Sequence, residues 1–445
     1  MHRSFKLIFA LVLYVGLLAG LQGLPEQSGA GIALLVTIAW LWITEALHVS
    51  VTALLVPLLA ALSGVLAFED ALLQFADPVI FLFLGGFALA AGLQRQGLDR
   101  WIAAHVMRRA GSDLGRAVRW LFWLTALLSM WISNTATAAM MLPLALGLLA
   151  PLPLQDERRT WMYVLLGVAF AANIGGIGTL VGSPPNAIAA ANVGLGFAQW
   201  MAWGLPLVVV LMPLMELGLR WALKPRLSAC VSPPPPPAAW TEAQRRMIAV
   251  FGATVLLWVL GAPLSNWLGL ARGYDAMVAV LALVLLHGLR LAEWKDVERS
   301  TDWGVLLLFG GGLTLSKVLG ESGAASWLAA QLGGPLAGMP ALLCLALMVL
   351  FALLLTEVTS NTASAALLIP LFLGLAPQVD QVPLAVLVAV GTSCAFMLPV
   401  ATPPNAIIFG SGHVPQRAMI AGGLRVTALI YPVLIVAAAL ALALY

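Results

Sequence analysis

The chain has 445 residues, of which 62% are hydrophobic and 9% are charged, and its formal net charge is +3. A soluble domain carries roughly 25% charged residues, so this composition excludes an ordinary water-soluble protein and indicates an integral membrane protein. Strand-like alternation is absent, which excludes an outer-membrane barrel and favours an all-α bundle. The three cysteines lie far apart and predict neither a disulfide framework nor a metal site.

Apolar stretches that approach or exceed the roughly 20 residues needed to cross a bilayer recur along the chain. The first, at 5–21, has no clear cleavage site after it, so it is predicted to be a spanning helix and not a signal peptide. The others lie at 30–47, 50–67, 162–181, 199–222, 247–262, 275–289 and 420–445. We expect about 11 transmembrane helices in a bacterial inner membrane, with the N-terminus in the cytoplasm.

Two polar segments precede the first conspicuous motif. Glu45 and His48 lie at a break between apolar runs, where a scaffold or interface role is favoured over ligand binding. The segment GLDRWIAAHVMRRAG, at 97–111, is basic and amphipathic, which predicts an in-plane helix at the cytoplasmic surface. That helix is either an arm between two domains or a snorkelling anchor.

The segment MWISNTATAAMM, at 130–141, places Ser-Asn-Thr inside an apolar run. The apolar arms beside it, 120–132 and 136–150, are each too short to span comfortably. They predict a re-entrant hairpin that turns at this SNT motif near the middle of the membrane. A helix that starts there presents unpaired N–H groups and a partial positive end, which suit an anion.

The segment VGSPPNAI, at 181–188, interrupts the next apolar run with two prolines, because proline removes a donor and clashes with the preceding turn. The carbonyls of Gly182 and Ser183 then lack their usual partners and suit a cation such as Na⁺. Ser129 precedes Ser133 by four residues, which places both hydroxyls on one helix face.

The same landmarks return in the second half of the chain. The stretch at 221–246 contains five consecutive prolines and predicts an extended linker. After it, EVTSNTASAALL (357–368) and VATPPNAI (400–407) repeat the SNT and PPN motifs in the same order. Two repeats, about 76–222 and 301–445, are therefore predicted.

The charges predict that the two repeats are inverted. Six arginines lie between Arg95 and Arg119, and Arg158 and Arg159 follow the first SNT, whereas residues 318–416 contain no Lys or Arg. The positive-inside rule then places the flanks of the first SNT in the cytoplasm and those of the second outside.

The arms of the second hairpin are predicted at 341–358 and 363–377. Thr356 precedes Ser360 by four residues, and Ala401 and Thr402 precede the second pair of prolines. Glu357 adjoins the second SNT. A carboxylate that braces the hairpin through backbone hydrogen bonds is favoured there over one that tunes a cation site or binds a proton.

The predicted domains follow from these motifs. They are scaffold helices with the arm helix (1–116), a transport domain (117–222), the linker (223–246), scaffold helices of the second half (247–338) and its transport domain (339–445).

No Lys, Arg or His lies in either SNT or PPN segment, so bound cations would supply the charge that holds an anion. An exchanger would instead need fixed positive charge near the tips. No nucleophile–base pair is present, so no enzyme is predicted.

At its SNT motifs, SPPNAI and ATPPNAIIFGSG, the sequence resembles the divalent anion/sodium symporter family over nearly the whole chain. The resemblance implies a homodimeric elevator transporter that couples Na⁺ to C4-dicarboxylates such as succinate, malate or fumarate. A Na⁺-independent exchanger and a sulfate or citrate symporter stay open. The resemblance implies two or more Na⁺ sites, one among Ser129, Ser133, Asn134 and Gly182 and another among Thr356, Thr359, Asn361 and Ala401. It implies anion contacts at Asn134, Thr135, Ser183, Ser360, Asn361, Thr362 and Pro403.

Overall fold

The computed structural model describes residues 3–25, 27–230, 239–270 and 273–444. Within these ranges the regular structure is helical, apart from one isolated antiparallel bridge between Asp113 and Cys230. The all-α prediction is confirmed. The five prolines of the predicted linker lie outside the described residues.

The helices follow one another with short connections. In the first half they are α1 (Arg3–Gly20), α2 (Ser28–Thr44), α3 (Val49–Leu62), α4 (Phe68–Leu72), α5 (Pro78–Arg95), α6 (Leu98–Ala110), α7 (Leu114–Ser129), α8 (Asn134–Leu149), α9 (Arg158–Gly175), α10 (Pro184–Val193) and α11 (Phe197–Leu223). In the second half they are α12 (Glu242–Val259), α13 (Gly261–Leu268), α14 (Tyr274–Gly288), α15 (Trp294–Ser300), α16 (Trp303–Glu321), α17 (Ala324–Ala337), α18 (Ala341–Leu355), α19 (Asn361–Leu375), α20 (Gln381–Ser393), α21 (Pro403–Gly410) and α22 (Gln416–Leu444). Short 3₁₀ turns follow α4 and α9, at Leu73–Ala76 and Gly176–Gly178.

The lengths of these helices identify a multi-span membrane protein. In the described part of the chain, 6 helices are long and apolar enough to cross a membrane. The pair α12 and α13, bent by 74°, would add a seventh span. Further apolar helices of 10–17 residues, α8, α18 and α19 among them, are too short to pass this test. The predicted total of about 11 spans includes some of these shorter helices and stays a prediction.

Each SNT motif lies at the break between two short helices that pack on each other, α7 with α8 and α18 with α19. The first arm starts at Leu114, earlier than the predicted residue 120. The cause is a helix cap, because the Asp113 carboxylate accepts a hydrogen bond from the N–H of Arg116 at 2.7 Å. In the second pair, α18 ends at Leu355, before the predicted end at 358, and α19 starts at Asn361, before the predicted start at 363.

The two PPN motifs open helices after a break, as their prolines predict. Proline is well tolerated at the first helical positions, where its missing N–H costs nothing. Thus α10 starts at Pro184 after the turn that ends α9, and α21 starts at Pro403 after the extended residues that follow α20. We treat α9 with α10, and α20 with α21, as the two pieces of one broken helix in each half.

The two halves of the chain interlock at these pieces. Helix α10, from the first half, packs on α19 and α20 of the second half. Helix α21, from the second half, packs on α8 and α9 of the first half. The second piece of each broken helix therefore lies against the hairpin and broken helix of the other half.

A second reciprocal contact joins the helices that precede the hairpins. A Cβ on Gly85 of α5 would lie 2.5 Å from the Cβ of Ala279 on α14. A Cβ on Gly311 of α16 would lie 2.6 Å from the Cβ of Ala53 on α3. Small residues let membrane helices approach closely, and the pairs Gly85-Gly86 and Gly310-Gly311 each place a glycine at one of these two contacts.

Gly311→Ala should lower the thermal unfolding temperature of the purified protein in detergent. The new methyl group overlaps both side chain and backbone of Ala53, and overpacking of this kind costs about 1–3 kcal/mol. Gly320→Ala on the same helix is the control, since its Cβ meets no atom within 4 Å. Equal melting of both variants would contradict the close helix contact.

Candidate functional site

The first hairpin tip meets the broken helix of its own half at a cluster of neutral oxygen atoms. The Ser129 hydroxyl donates to the carbonyl oxygen of Ala172 at 2.7 Å and lies 2.7 Å from the Asn134 amide. With its amide nitrogen turned inward, Asn134 donates to Ser129 Oγ at 2.7 Å, to Ala172 O at 3.2 Å and to Gly182 O at 3.3 Å. With its amide oxygen turned inward, four oxygen atoms face one another, and one hydroxyl proton cannot serve them all.

The Asn134 amide can supply this cluster with N–H donors through its nitrogen or with a fourth oxygen ligand through its oxygen. Na⁺ sites in transporters are built from such hydroxyl, amide and unwound-backbone oxygens. In the described ranges, no three His, Cys, Asp or Glu side chains lie together as a metal cluster. The neutral oxygens at the hairpin tips are the candidate cation ligands, because they meet carbonyl oxygens of the broken helices.

Two glycines bring the backbone close enough to form the first cluster. A Cβ on Gly182 would lie 2.5 Å from the carbonyl oxygen of Gly176. A Cβ on Gly176 would lie 2.5 Å from Oδ1 of Asn134. Only glycine fits at these positions without displacing the cluster, so Gly176 joins the predicted Gly182 as a residue that shapes it.

The second hairpin tip repeats the arrangement in the second half. The Thr356 hydroxyl lies 2.8 Å from Oδ1 of Asn361 and 2.7 Å from the carbonyl oxygen of Thr392. Thr356 and Asn361 thus occupy the places of Ser129 and Asn134, as the spacing before each SNT predicts. The predicted ligand Thr359 instead has its hydroxyl directed to Ser364 Oγ, at 2.5 Å, and to Leu355 O.

The asparagine of each PPN motif holds the break that precedes it. Asn186 Nδ2 donates to the carbonyl oxygens of Gly176 and Thr179 at 2.8 and 2.7 Å. Asn405 Nδ2 donates to those of Ala395 and Leu398 at 3.2 and 3.1 Å. Both asparagines are fully buried. Sequence reasoning passed over them, although the third letter of a motif that occurs twice was the available signal.

Polar side chains also join the two broken helices where they cross. Asn173 Nδ2, on α9, donates to Thr402 Oγ1 at 3.1 Å, just before α21. Ser183 Oγ, just before α10, lies 3.5 Å from Ser393 Oγ at the end of α20. All four side chains are buried. These two contacts therefore join the halves at the broken helices. Asn173 carried no motif that could have identified it.

The buried carboxylate of Glu357 braces the second break. Its two oxygens accept hydrogen bonds from the backbone N–H groups of Phe396, Met397 and Leu398 at 2.7–3.1 Å. This is the bracing role favoured from the sequence. The first half achieves it differently, with Thr179 Oγ1 donating to the carbonyl oxygen of Met130 at 2.5 Å.

Glu357→Ala should destabilise the protein by about 3 kcal/mol, because it leaves buried N–H groups without an acceptor. Glu357→Gln retains one acceptor oxygen and should fall between alanine and wild type. Thermal unfolding in detergent and Na⁺ titration of transport measure the two effects separately. An alanine variant with wild-type stability but an altered Na⁺ response would contradict bracing and indicate a cation-tuning role.

The other predicted site residues differ in how far they face outward. Ser133 Oγ accepts from the N–H of Ala136 at 3.3 Å and caps α8, while the Ser360 side chain caps nothing before α19. Thr135 and Pro403 are exposed. The buried members of the set are Ser183, Thr362 and Ala401. No hydrogen bond between described residues runs from Asn134 or Thr135 to the second SNT, so a shared anion pocket stays a prediction.

Ser360 lines a cavity of about 610 Å³ that we call the N-terminal cavity. Its walls are formed by Arg3, Lys6, Glu45, Ala46, Leu47, His48, Val49 and Ser360. The SNT and PPN segments contain no cation, but the fold brings two cations of α1 and one histidine to the second SNT. No local pattern could have shown this, because Arg3 and Ser360 lie far apart in the sequence.

Comparison with known proteins places this chain among transporters. The sequence profile described as "Citrate transporter" (CitMHS) matches residues 39–391. A relative from Haemophilus influenzae, named "Uncharacterized transporter", is 47% identical over 95% of this chain and 94% of its own length. The sodium-dependent dicarboxylate transporter SdcS of Staphylococcus saprophyticus is 32% identical over 95% of this chain and 87% of its own length.

A solved structure shares the fold at low sequence identity. The crystal structure of the Alcanivorax borkumensis YdaH transporter superimposes with a TM-score of 0.57 at 16% identity. The superposition covers 84% of this chain and 87% of the other. The likeness extends over most of both chains and supports the helical multi-span architecture described above.

Proposed function

This chain belongs to the CitMHS citrate transporter family, among the divalent anion/sodium symporters that its sequence resembles, and we propose that it carries C4-dicarboxylates together with Na⁺. As a member of this family it is a multi-pass secondary transporter and not an enzyme.

The observation that carries the proposal is the matched pair of oxygen clusters. The Ser129 and Thr356 hydroxyls each lie 2.7 Å from a backbone carbonyl oxygen of a broken helix. Each also lies 2.7–2.8 Å from the asparagine of its SNT motif, Asn134 or Asn361. Each cluster lies at the start of a helix whose free N–H groups favour an anion. A cation bound beside that start would supply the charge that the neutral donors lack.

A dicarboxylate suits two such helix starts, because it has two similar anionic ends. Asn134 and Thr135 would contact one carboxylate, and Asn361 and Thr362 the other. Ser183, Ser360 and Pro403 would complete the pocket. The SdcS relative, named for sodium-dependent dicarboxylate transport, supports both the substrate class and the coupling ion.

The proposed mechanism is an elevator in a homodimer, with inverted repeats. The transport domain would comprise 117–222 and 339–445, and the scaffold would comprise 1–116 and 247–338. Support comes from the interlocked packing of α8, α10, α19 and α21, which ties both hairpins and both broken helices together. Such a unit can move as one body while the SNT sites stay intact.

Uptake of radiolabelled succinate into proteoliposomes tests the proposed function. An inward Na⁺ gradient is compared with an equal K⁺ or choline gradient, with sulfate and citrate as competitors. Strong uptake only with Na⁺ is expected, with succinate, malate and fumarate competing best. Uptake that ignores Na⁺ would overturn symport.

Two observations each favour a second candidate. The N-terminal cavity places Arg3 and Lys6 beside Ser360, and fixed positive charge is what a Na⁺-independent exchanger needs. The same assay identifies exchange, since uptake would then require succinate preloaded inside the vesicles.

The matching profile is described as a citrate transporter, which favours citrate as the alternative substrate. Stronger competition by citrate than by succinate would identify it.

Thr135→Val should weaken succinate affinity more than Na⁺ affinity. The exposed hydroxyl at the start of α8 is proposed to meet the anion, and its loss costs about 1 kcal/mol or a fivefold rise in the half-saturating succinate concentration. Titrating each ligand at saturating levels of the other measures both affinities. Equal losses in the two titrations would contradict a contact to the anion alone.

A further inference from the structure

The N-terminal cavity is a separate charged compartment beside the second hairpin tip. Only Ser360 of the proposed transport site reaches its wall. The remaining wall comes from the start of α1 and from the connection between α2 and α3. None of these other residues takes part in the oxygen clusters, so the cavity has no assigned role.

The two cations of the cavity are held in place by backbone carbonyls. Lys6 Nζ donates to Thr44 O at 2.6 Å, and Arg3 Nε donates to Ala46 O at 3.2 Å. Lysine has three donors and arginine five, so each cation keeps N–H groups for a ligand. Neither cation takes part in an ion pair among the residues that the structure describes.

The rest of the wall adds positive potential. His48 Nδ1 accepts from the N–H of Ser50 at 3.4 Å, which leaves the proton of the neutral ring on Nε2 as a donor. Two helix starts, those of α3 after His48 and of α19 after Ser360, also meet at this cavity. Both carry partial positive charge. Glu45 is the one acidic residue on the wall, against two cations.

We propose that the N-terminal cavity is a second anion-binding site, which holds a small dianion without Na⁺. Two fixed cations match two carboxylates, whereas the SNT clusters are neutral and need bound cations. The identification of this dianion with the transported substrate rests on the proposed function, but its binding here does not. Because the cations are partly solvated, binding is weak and falls with ionic strength.

Because the N-terminal cavity lies beside Ser360, an anion bound in it would affect transport. An anion held there lies next to one end of the SNT site and is retained near it when Na⁺ has left. The opposing interpretation is that Arg3 and Lys6 only anchor α1 at the membrane surface. In that case the cavity attracts no anion beyond what any basic surface does.

Chemical modification of a cysteine in the cavity wall distinguishes these interpretations. Leu47→Cys is introduced into Cys230→Ser, since Cys344 and Cys394 are buried. The rates of reaction with an anionic and a cationic methanethiosulfonate are then measured on the full-length purified protein. Succinate is added in choline buffer at constant ionic strength, so no Na⁺ is present.

Succinate at about four times its dissociation constant should slow the anionic reagent about fivefold without Na⁺. Arg3→Gln with Lys6→Gln should abolish this protection and lower the ratio of anionic to cationic rates. Arg108→Gln with Arg109→Gln removes the same charge from the exposed face of α6 and should change neither result.

Asn361→Ala separates the new site from the transport site. Protection should persist in this variant, because the cavity binds the anion with its own cations. The proposal would be overturned if protection by succinate required Na⁺ or disappeared in Asn361→Ala. It would also be overturned if protection survived the loss of Arg3 and Lys6. The uptake assay with a Na⁺ gradient reports separately on the proposed function, which can fail while the cavity still binds succinate.

Discussion

Asn134→Ala and Asn361→Ala should each abolish Na⁺-driven succinate uptake while the protein still folds. Each asparagine lies 2.7–2.8 Å from the hydroxyl of its oxygen cluster and begins the helix that is proposed to meet the anion. Its loss removes one cation ligand and one anion donor together. A cost of about 3 kcal/mol for these contacts is a loss of about 100-fold in affinity.

The control for these variants is Asn266→Ala, a substitution of the same kind at an exposed position on α13. It should transport like wild type. Gel filtration and thermal unfolding establish that all three variants are folded, because Asn134 and Asn361 are only partly buried. Normal uptake in both site variants would show that the paired clusters are structural and not transport sites.

Gly176→Ala should raise the Na⁺ concentration for half-maximal uptake by about tenfold, although it removes no ligand. Its Cβ would lie 2.5 Å from Asn134 Oδ1 and 3.0 Å from Gly182 O, inside the first cluster. The backbone of Gly176 is ordinary, with φ of −56°, so alanine adds no backbone strain. A displaced ligand costs on the order of 1–3 kcal/mol, which spans this tenfold change.

Gly178→Ala is the matched control two residues later. Its Cβ would meet the Met130 side chain at 3.0 Å, and a flexible methionine can move aside. Near-normal Na⁺ dependence is expected. Equal defects in the two variants would indicate damage to the turn as a whole and would argue against a cation at the Asn134 cluster.

Sequence reasoning predicted the hairpin tips and the helix breaks because their signals are local. A polar triplet inside an apolar run, or two prolines before an asparagine, specifies a break wherever the chain folds. The spacing of Ser129 and Thr356 from their SNT motifs was local in the same sense, and the structure places both hydroxyls at the clusters.

The remaining features depend on contacts between distant parts of the chain. Asn173 has no motif, and its role appears only when Thr402 lies beside it. Arg3 and Lys6 lie far from Ser360 in the sequence, and their position beside it follows from how α1 and α2 pack. The early start of α7 at Leu114 came from an Asp113 cap, which lies between the predicted in-plane helix at 97–111 and the predicted hairpin arm at 120.

The interlocked halves impose an order on the biogenesis of the protein. The bond from Asn173 to Thr402 joins residues 229 positions apart, and α10 and α21 each need the other half to cover them. At the usual synthesis rate of about 5–20 residues per second, the first half waits on the order of 10–50 s for its partner. During that interval the buried amide of Asn173 lacks its partners and α10 lacks its cover. The nascent first half is therefore the species that insertion chaperones and membrane proteases would engage.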